Sequence, residues 1–283
     1  MKGGASATFI FALLLLSFTQ VPARSNLSGP EPDDESDFNY IPGSGKGPED
    51  WWRLNPSWWI CKYGMRQSPI CLEEGNAFID PWLGQLETNY IRNQAILKNR
   101  GHDIMLAWPE AEGGGSLYIS GTEYTLVQCH WHTPAEHEID GQRPDLEMHM
   151  VHQSSDDKVA VIGILYKIGF EADPFLSELM NPLRILVEEQ RDNVTAGPVE
   201  PWRVNGPRLY YRYMGSLTTP PCTEGVVWTV LAGVQSVSQE QVDLLKAAVH
   251  DGFENNARPL QPINGRPISL SWPWIHDEQH PSS

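Results

Sequence analysis

Three histidines lie on two short segments whose other residues are typical of buried β-strands. The segment "QCHWH" carries His130 and His132, and the segment "LEMHMVHQ" carries His149. Side chains alternate between the two faces of a strand, so His130 and His132 point the same way. If the two segments form neighbouring strands, the three imidazoles converge on one point. Such a cluster is typical of a zinc site.

Each segment also offers a polar partner for a ligating ring. Gln128 and Glu147 lie two residues before a histidine and therefore on the same strand face. An amide or carboxylate oxygen of this kind commonly accepts a hydrogen bond from the ring nitrogen that does not bind the metal. The intervening residues are predicted to face the core: Cys129, Trp131, Leu146, Met148 and Met150.

The alternative is that these histidines are structural. An H-x-H pattern alone is more often a pair of buried or surface histidines than a metal site. The second segment, with its E-x-H pattern and apolar alternate residues, favours zinc. Cysteine ligation is disfavoured because Cys129 points away from the cluster. Three imidazoles leave a fourth coordination position for water, whereas a structural zinc usually has four protein ligands. The sequence therefore predicts a catalytic zinc.

A second stretch, "GSLTTPPCTEG", places Thr218 and Thr219 directly before two prolines. Each proline fixes its own φ and favours extended geometry in the residue before it, which predicts a rigid, non-helical loop. A rigid hydroxyl can orient a reactant at a metal. Taken alone, the stretch is better explained as an ordinary Thr-Pro turn.

The elements around these motifs are mostly strands. β-branched and aromatic segments bounded by turn residues predict strands at residues 124–132, 146–153, 159–169 and 225–231. Two helices are also predicted: residues 173–191, interrupted by Pro182, and residues 238–254, which begin with a capping box of Ser238 and Gln241. The pattern predicts a mainly β fold with peripheral helices and one large, mostly antiparallel sheet.

The chain ends suggest a secreted protein. The apolar run Phe9–Phe18 follows Lys2 and is too short to span a bilayer, so residues 1–25 are predicted to be a signal peptide. Residues 26–37 are acidic and predicted to be disordered, residues 38–274 form a single folded domain, and residues 275–283 form a polar tail. The expected location is outside the cell or in the endomembrane lumen, with plastid delivery through the secretory route as an alternative.

Other features bear on compartment and partners. The four cysteines allow three disulfide pairings, and Asn193 and Asn26 lie in N-glycosylation acceptor sequences. The net charge of −16, without a basic patch, argues against nucleic acid and anionic membranes as partners. No membrane span is predicted after the signal peptide. The sequence predicts a small-molecule substrate and leaves the oligomeric state open.

Taken together, the motifs resemble the α-class carbonic anhydrases over Tyr40–Pro262, most closely the plant secretory branch that includes tuber storage and nectar proteins. The chain contains, in the same order as the family, the segments "GPEDWW", "RQSPI", "NRGHDI", "QCHWHTPAEH", "LEMHMVHQ", "GSLTTPPCTEG" and "NNARPLQP". The resemblance implies a twisted, largely antiparallel ten-stranded sheet with Zn²⁺ at the bottom of a conical cleft. It also implies reversible hydration of carbon dioxide to bicarbonate and a proton, by attack of a zinc-bound hydroxide.

The resemblance implies a role for each site residue. His130, His132 and His149 match the zinc ligands, and Gln128 and Glu147 match the residues that hold their rings. Thr218 matches the residue that orients the nucleophile by donating to a buried carboxylate, here Glu136. Further matches are Thr219 on the substrate side and the apolar wall for carbon dioxide, which comprises Val151, Val161, Leu217, Val226 and Trp228.

His102 matches the family's proton shuttle, with Tyr40 and Arg100 along the same water path. Arg100 replaces the asparagine usual in the family, which puts the rate of proton transfer in doubt. His137 is interpreted as part of the network around Glu136. The remaining histidines are interpreted as structural or solvated: His152, His250, His276 and His280.

Cys61 and Cys222 match the disulfide of secreted family members. Cys71 and Cys129 fall outside that pattern, and either they pair or Cys129 is a buried thiol. The rival to enzymatic function is a catalytically idle relative used for storage or ligand binding, as in the tuber proteins. Relatives without zinc have changes at ligand positions, whereas all three histidines, Thr218 and Glu136 are present here.

Overall fold

The computed structural model describes residues 38–109, 111–203, 208–250 and 252–272. The predicted signal peptide, acidic leader and polar tail lie outside these residues and stay predictions. The described strands are β1 (Cys71–Leu72), β2 (Phe78–Asp80), β3 (Glu87–Tyr90), β4 (Asn93–Asn99), β5 (Ile104–Ala107), β6 (Gly115–Ile119), β7 (Thr122–His132), β8 (Glu138–Ile139), β9 (Leu146–Ser154), β10 (Val159–Ile168), β11 (Asn193–Val199), β12 (Tyr210–Ser216), β13 (Glu224–Leu231), β14 (Gln235–Val237) and β15 (Ser269–Ser271). The described α-helices are α1 (Trp51–Leu54), α2 (Ile60–Tyr63), α3 (Pro174–Glu189) and α4 (Gln239–Ala248).

Ten strands follow one another across the main sheet, in the order β11–β4–β5–β7–β9–β10–β13–β12–β15–β2. Strands β3, β6 and β14 pair beside this path, and β1 and β8 form a separate two-stranded sheet. Within the main sheet, neighbours are antiparallel except where β10 meets β13 and β14 and where β15 meets β2. The predicted mainly β fold with one large, mostly antiparallel sheet is confirmed; the sheet has thirteen strands, ten along its path and three beside it.

The sheet separates two apolar cores. We call one side the helix face, because its buried residues, including Trp131, Met148 and Met150, belong to the same cluster as the leucines of α3 and α4. We call the opposite side the histidine face; Val151 and Trp228 are part of its apolar cluster. The predicted alternation is therefore correct, with Cys129, Trp131, Leu146, Met148 and Met150 all in the core of the helix face.

The two long helices depart in detail from their predictions. Helix α3 continues through Pro182, so the predicted interruption is wrong. Proline removes the hydrogen bond to the carbonyl of Glu178, an exposed residue, while Leu179 and Leu183 remain buried and hold the helix on the sheet. Helix α4 begins with the predicted capping box but ends at Ala248, six residues earlier than predicted.

A disulfide joins Cys61, in α2, to Cys222, in the loop that carries the two threonines. Its Cα atoms lie 5.0 Å apart and its partners are separated by 161 residues in the chain. In the chain-entropy account, closing so long a loop stabilises the fold by about 5 kcal/mol at most. The predicted pairing is confirmed, and Cys71 and Cys129 are both free, with Cys129 buried.

Candidate metal centre and active site

The three predicted ligand histidines lie on adjacent central strands. Strands β7 and β9 pair so that His130 faces His149 directly, and His132 faces Glu147. The ring centroids of His130, His132 and His149 are 4.6 to 5.1 Å apart. One ring nitrogen of each lies within 4.8 Å of those of the other two, and all three side chains are buried. The structure therefore brings together the cluster that the alternation of strand residues predicts.

In each ring, one nitrogen faces a fixed acceptor. Nδ1 of His130 lies 2.9 Å from Oε1 of Gln128, and Nδ1 of His132 lies 2.9 Å from the backbone oxygen of Asn256. For His149 the order is reversed, because its Nε2 lies 2.8 Å from Oε1 of Glu147. The acceptors thus direct Nε2 of His130, Nε2 of His132 and Nδ1 of His149 toward one another.

The spacing of two of these nitrogens fits a tetrahedral zinc ion, and the third lies within 4.8 Å of both. With bonds of roughly 2.0–2.1 Å, two ligating nitrogens of a tetrahedral site stand about 3.3–3.4 Å apart. Nε2 of His130 and Nδ1 of His149 are 3.3 Å apart. Nε2 of His132 is buried and has no hydrogen-bond partner among the described residues, a costly arrangement for a polar atom unless something else binds it. The carboxylate oxygens near His132 and His149 approach their other nitrogens, so they do not complete the cluster.

Glu147 forms several hydrogen bonds that hold the cluster in place. Besides His149, its carboxylate accepts hydrogen bonds from the backbone N–H groups of Glu136 and His137 and lies 2.7 Å from Nδ1 of His137. His137 also contacts the hydroxyl of Tyr213, at 2.7 Å. The side chain of His137 thus bonds to Glu147, and this carboxylate connects it to the backbone of Glu136.

Burial and neighbouring charges act differently on the two histidines of β7. Burial lowers the pKa of His130 well below 6.5, which favours the neutral ring that binds a metal. Burial acts in the same direction on His132. Glu136 and the backbone oxygen of Asn256 outweigh it there, so the pKa of His132 is raised. Binding of a cation at His132 would therefore have to displace a proton more often than at His130.

Glu136 is buried next to the cluster. Its Oε1 accepts the backbone N–H of Arg258 at 2.9 Å, and lies 3.7 Å from Nδ1 of His132. Its Oε2 is buried and has no hydrogen-bond partner among the described residues. Thr218 and Thr219 are buried as well, and the hydroxyl of Thr219 has no partner among the described residues. The structure therefore leaves Oε2 of Glu136 open, and it shows no hydrogen bond from Thr218 to this oxygen.

An apolar surface lies beside the rings on the histidine face. The ring of Trp228 is centred 4.8 Å from that of His149. The five residues predicted to form the carbon dioxide wall all belong to one buried cluster: Val151, Val161, Leu217, Val226 and Trp228. Strands β9, β10 and β13 supply four of them, and the threonine loop supplies Leu217. The structure therefore assembles this wall from four distant parts of the chain.

His102 lies in a buried position. Its ring centroid is 5.3 Å from that of Phe38, and its Nδ1 is 3.2 Å from the backbone oxygen of Arg100. Burial lowers its pKa to about 4, although the nearby Asp103 acts in the opposite direction. Arg100 is itself buried and forms a bidentate ion pair with Asp103, at 2.7 and 2.5 Å. Arg100 thus pairs with a neighbouring carboxylate instead of presenting its guanidinium to solvent.

The other predicted residues are placed as follows. Asn193 is exposed at the start of β11, as a glycosylation acceptor requires. His152 is buried and lies 2.8 Å from the hydroxyl of Tyr90, which fits a structural role, and His250 is exposed. Tyr40 is buried against Trp51 and Phe253. Asn26, His276 and His280 lie outside the described residues.

Two residues of the site have no assigned role in the sequence interpretation. Asn256 orients His132 through its backbone oxygen, and its side-chain oxygen accepts the N–H of Thr133 at 2.8 Å. Arg258 donates to the backbone oxygens of Ser68 and Cys61 and thereby joins the disulfide region to Glu136. Both lie in "NNARPLQP", so the motif was visible in the sequence but its contacts were not.

Comparison with known proteins agrees with this geometry. The sequence model described as eukaryotic-type carbonic anhydrase matches residues 46–272. The chain belongs to that family. Carbonic anhydrases of this type are zinc-dependent, and the histidine cluster lies within the matched region.

Relatives of this carbonic anhydrase family member cover almost the whole chain. Alpha carbonic anhydrase 7 of Arabidopsis thaliana is 45% identical over 278 residues, which span 97% of this chain and 100% of that protein. Dioscorin dioA3 of Dioscorea japonica is 44% identical over 267 residues, spanning 93% and 95%. A crystal structure of dioscorin complexed with ascorbate matches with a TM-score of 0.79 at 46% identity, covering 82% of this chain and 97% of that one.

Proposed function

We propose that this protein catalyses the reversible hydration of carbon dioxide to bicarbonate and a proton, with Zn²⁺ held by His130, His132 and His149. The observation that carries the proposal is the convergence of three imidazole nitrogens whose opposite ring nitrogens face fixed acceptors. A zinc ion bound in this way lowers the pKa of a coordinated water to about 7, the value established for carbonic anhydrases, and so supplies the nucleophile.

Thr218 and Glu136 orient the nucleophile in this proposal. Oε2 of Glu136 has no hydrogen-bond partner among the described residues, so it is open to accept the hydroxyl hydrogen of Thr218 once that hydroxyl turns toward it; the Thr218 oxygen would then be able only to accept. The nucleophile then has to donate its hydrogen to Thr218, and this turns its lone pair toward the substrate. A donor and acceptor fixed before the reaction cost no reorganisation when charge moves, which is why such groups have large effects on rate.

The apolar wall holds the substrate. Carbon dioxide is neutral and nonpolar, so the surface formed by Val151, Val226 and Trp228 suits it better than water does. Thr219, whose buried hydroxyl has no partner among the described residues, is the polar group available to a substrate oxygen or to bicarbonate.

The decisive experiment is stopped-flow hydration of carbon dioxide on protein of known zinc content. We expect about one zinc per chain, activity that a chelator removes, and activity that zinc restores. Loss of activity through unfolding is monitored by near-UV circular dichroism, since the eleven tryptophans report on side-chain packing. A zinc-replete, folded protein without hydration activity would contradict the proposal.

His102 is proposed as the proton shuttle, although its burial makes the ring a weak proton acceptor. Proton transfer from a group of pKa near 7 to a ring of pKa about 4 is unfavourable by about a thousandfold, so His102 must move toward solvent to work well. We expect His102→Ala to lower turnover in dilute buffer by about tenfold, less than the usual effect of a general base. Added imidazole should raise turnover in both proteins, and more in the variant. Equal stimulation would assign His102 a purely structural role.

The alternative function is storage or ligand binding without turnover. It is favoured by the similarity to dioscorins, one of which has been crystallised with ascorbate. It is disfavoured by the intact set of ring nitrogens and by the open acceptor on Glu136. This alternative expects zinc-independent behaviour and no hydration activity, so the same chelator experiment separates the two.

We also propose that the protein reaches its destination through the secretory pathway. The Cys61–Cys222 disulfide is typical of an oxidising compartment, and Asn193 is exposed for glycosylation. No helix within the described residues is long and apolar enough to cross a membrane.

A further inference from the structure

A large cavity lies away from the histidine cluster, on the helix face of the sheet. Its volume is about 750 Å³, within the size range of small-molecule sites. Strand alternation places it there: Arg212 and Met214 line it from β12 and Val227 lines it from β13, whereas Trp228, next to Val227, packs on the histidine face. Thr122 and Tyr124, at the start of β7, form the opposite wall.

The cavity is positively charged in a strongly acidic protein. The chain carries 36 acidic and 20 basic residues, yet the described residues that line this cavity include three arginines and no carboxylate. The guanidinium of Arg266 donates to backbone oxygens, whereas the bond from Arg66 to Glu224 is made by its backbone N–H. Arg212 is the cation whose guanidinium is held in place by neighbouring side chains of the cavity wall.

Arg212 is held in place but only partly used. Its Nε donates to Oγ1 of Thr229 at 2.9 Å, and its guanidinium lies over the ring of Tyr210, 5.2 Å from the centroid. Its two terminal nitrogens have no hydrogen bond among the described residues, and no described carboxylate forms an ion pair with it. Burial lowers the pKa of Arg212, whereas Tyr210 and Tyr124 act to raise it. By contrast, Arg92 is an exposed arginine paired with Glu178.

The walls around this guanidinium are apolar. Leu83, Ile119 and Val227 line the cavity and pack against the core of the helix face, and Met214 is exposed at its edge. A planar guanidinium fixed through Nε presents a paired set of N–H donors that match a carboxylate. A small inorganic anion would leave the apolar walls in contact with water, whereas a carboxylate on a flat apolar body would cover them.

We propose that this cavity is a binding site for a small aromatic carboxylate, whose carboxylate pairs with Arg212 and whose ring lies against Ile119, Met214 and Val227. The proposal is independent of the zinc chemistry, because no residue of the histidine cluster lines the cavity, although Tyr213 of the histidine face also borders it. It therefore stands or falls separately from the proposed hydration activity.

The test uses 2-naphthoate as the probe and methionine methyl groups, labelled with ¹³C, as local reporters. Met214 and Met65 line the cavity, whereas Met105 is paired with His130 in the sheet. We expect saturable shifts of the Met214 and Met65 signals with 2-naphthoate. The neutral 2-naphthamide and inorganic phosphate should each bind at least about tenfold more weakly.

Two variants and one control complete the experiment. Arg212→Gln should weaken binding at least about tenfold, and Arg92→Gln, which changes an exposed arginine elsewhere, should leave it within about twofold. If Arg212→Gln does not fold, Thr122→Trp fills the cavity while keeping Arg212 and should also remove binding. Equal binding of the amide or of phosphate would overturn the proposal, as would unchanged binding by folded Arg212→Gln. Shifts confined to Met105 would assign the probe to the histidine cluster and overturn it equally.

Discussion

His149→Ala should abolish both zinc retention and carbon dioxide hydration. The substitution removes one of three converging nitrogens and leaves two, which cannot define a tetrahedral site with a single open position. Zinc content after gel filtration should fall from about one per chain to near zero, and hydration should fall by at least about a thousandfold. Metal analysis and stopped-flow hydration on the same sample measure both quantities.

His250→Ala is the matched control, because His250 is exposed and lies outside the cluster. It should keep both zinc and activity. A graded variant is Gln128→Ala, which removes the acceptor of the His130 ring and should weaken zinc binding by about 10- to 100-fold. If folded His149→Ala, verified by circular dichroism, still retained zinc and hydrated carbon dioxide, the proposed metal centre would be wrong.

Thr218→Ala should retain zinc but lose about a hundredfold in kcat/KM. The threonine is not a metal ligand in the proposed site, so zinc stoichiometry should stay near one per chain. Its loss removes the hydroxyl that is proposed to link the nucleophile to the open Oε2 of Glu136, and so leaves the nucleophile without a fixed orientation. Stopped-flow hydration combined with metal analysis separates this effect from that of the histidine variant.

Thr218→Ser keeps the hydroxyl and should restore most of the rate, which a role in packing alone would not predict. Thr88→Ala, at a partly exposed position of β3, controls for the general effect of removing a threonine. Hydration by Thr218→Ala within about twofold of the unsubstituted protein would refute the orienting role.

The metal cluster was predictable because it depends on local strand geometry. Alternation along β7 and β9 fixes which side chains share a face, and only the pairing of His130 with His149 had to be supplied by the fold. Gln128 and Glu147 were predictable for the same reason, since each lies two residues from its histidine. The apolar wall was identified only through the family resemblance, because its residues come from separate elements.

Contacts between distant segments were not predictable. The acceptor of His132 is a backbone oxygen 124 residues away, and no pattern in the sequence indicates such a bond. The burial of His102 depends on the packing of Phe38 against its ring. The ion pair of Arg100 depends on the backbone turn that brings Asp103 next to it. In helix α3 a local rule gave the wrong prediction. Proline was expected to interrupt the helix at Pro182, but the burial of neighbouring leucines keeps the helix continuous.

The shared carboxylate of Glu147 has a consequence for the behaviour of the protein in mildly acidic fluids. Burial alone would raise its pKa, but the facing imidazoles of His137 and His149 lower it well below 4.5. A carboxyl shifted in this direction supports the fold above its unfolded pKa and withdraws that support only as the pH falls through the lower, folded value. Acidification to about pH 5 therefore leaves this anchor charged. Any reversible acid inactivation in that range would begin with protons competing with zinc for the imidazoles. The network around Glu147 would stay intact, so that zinc could bind again at neutral pH.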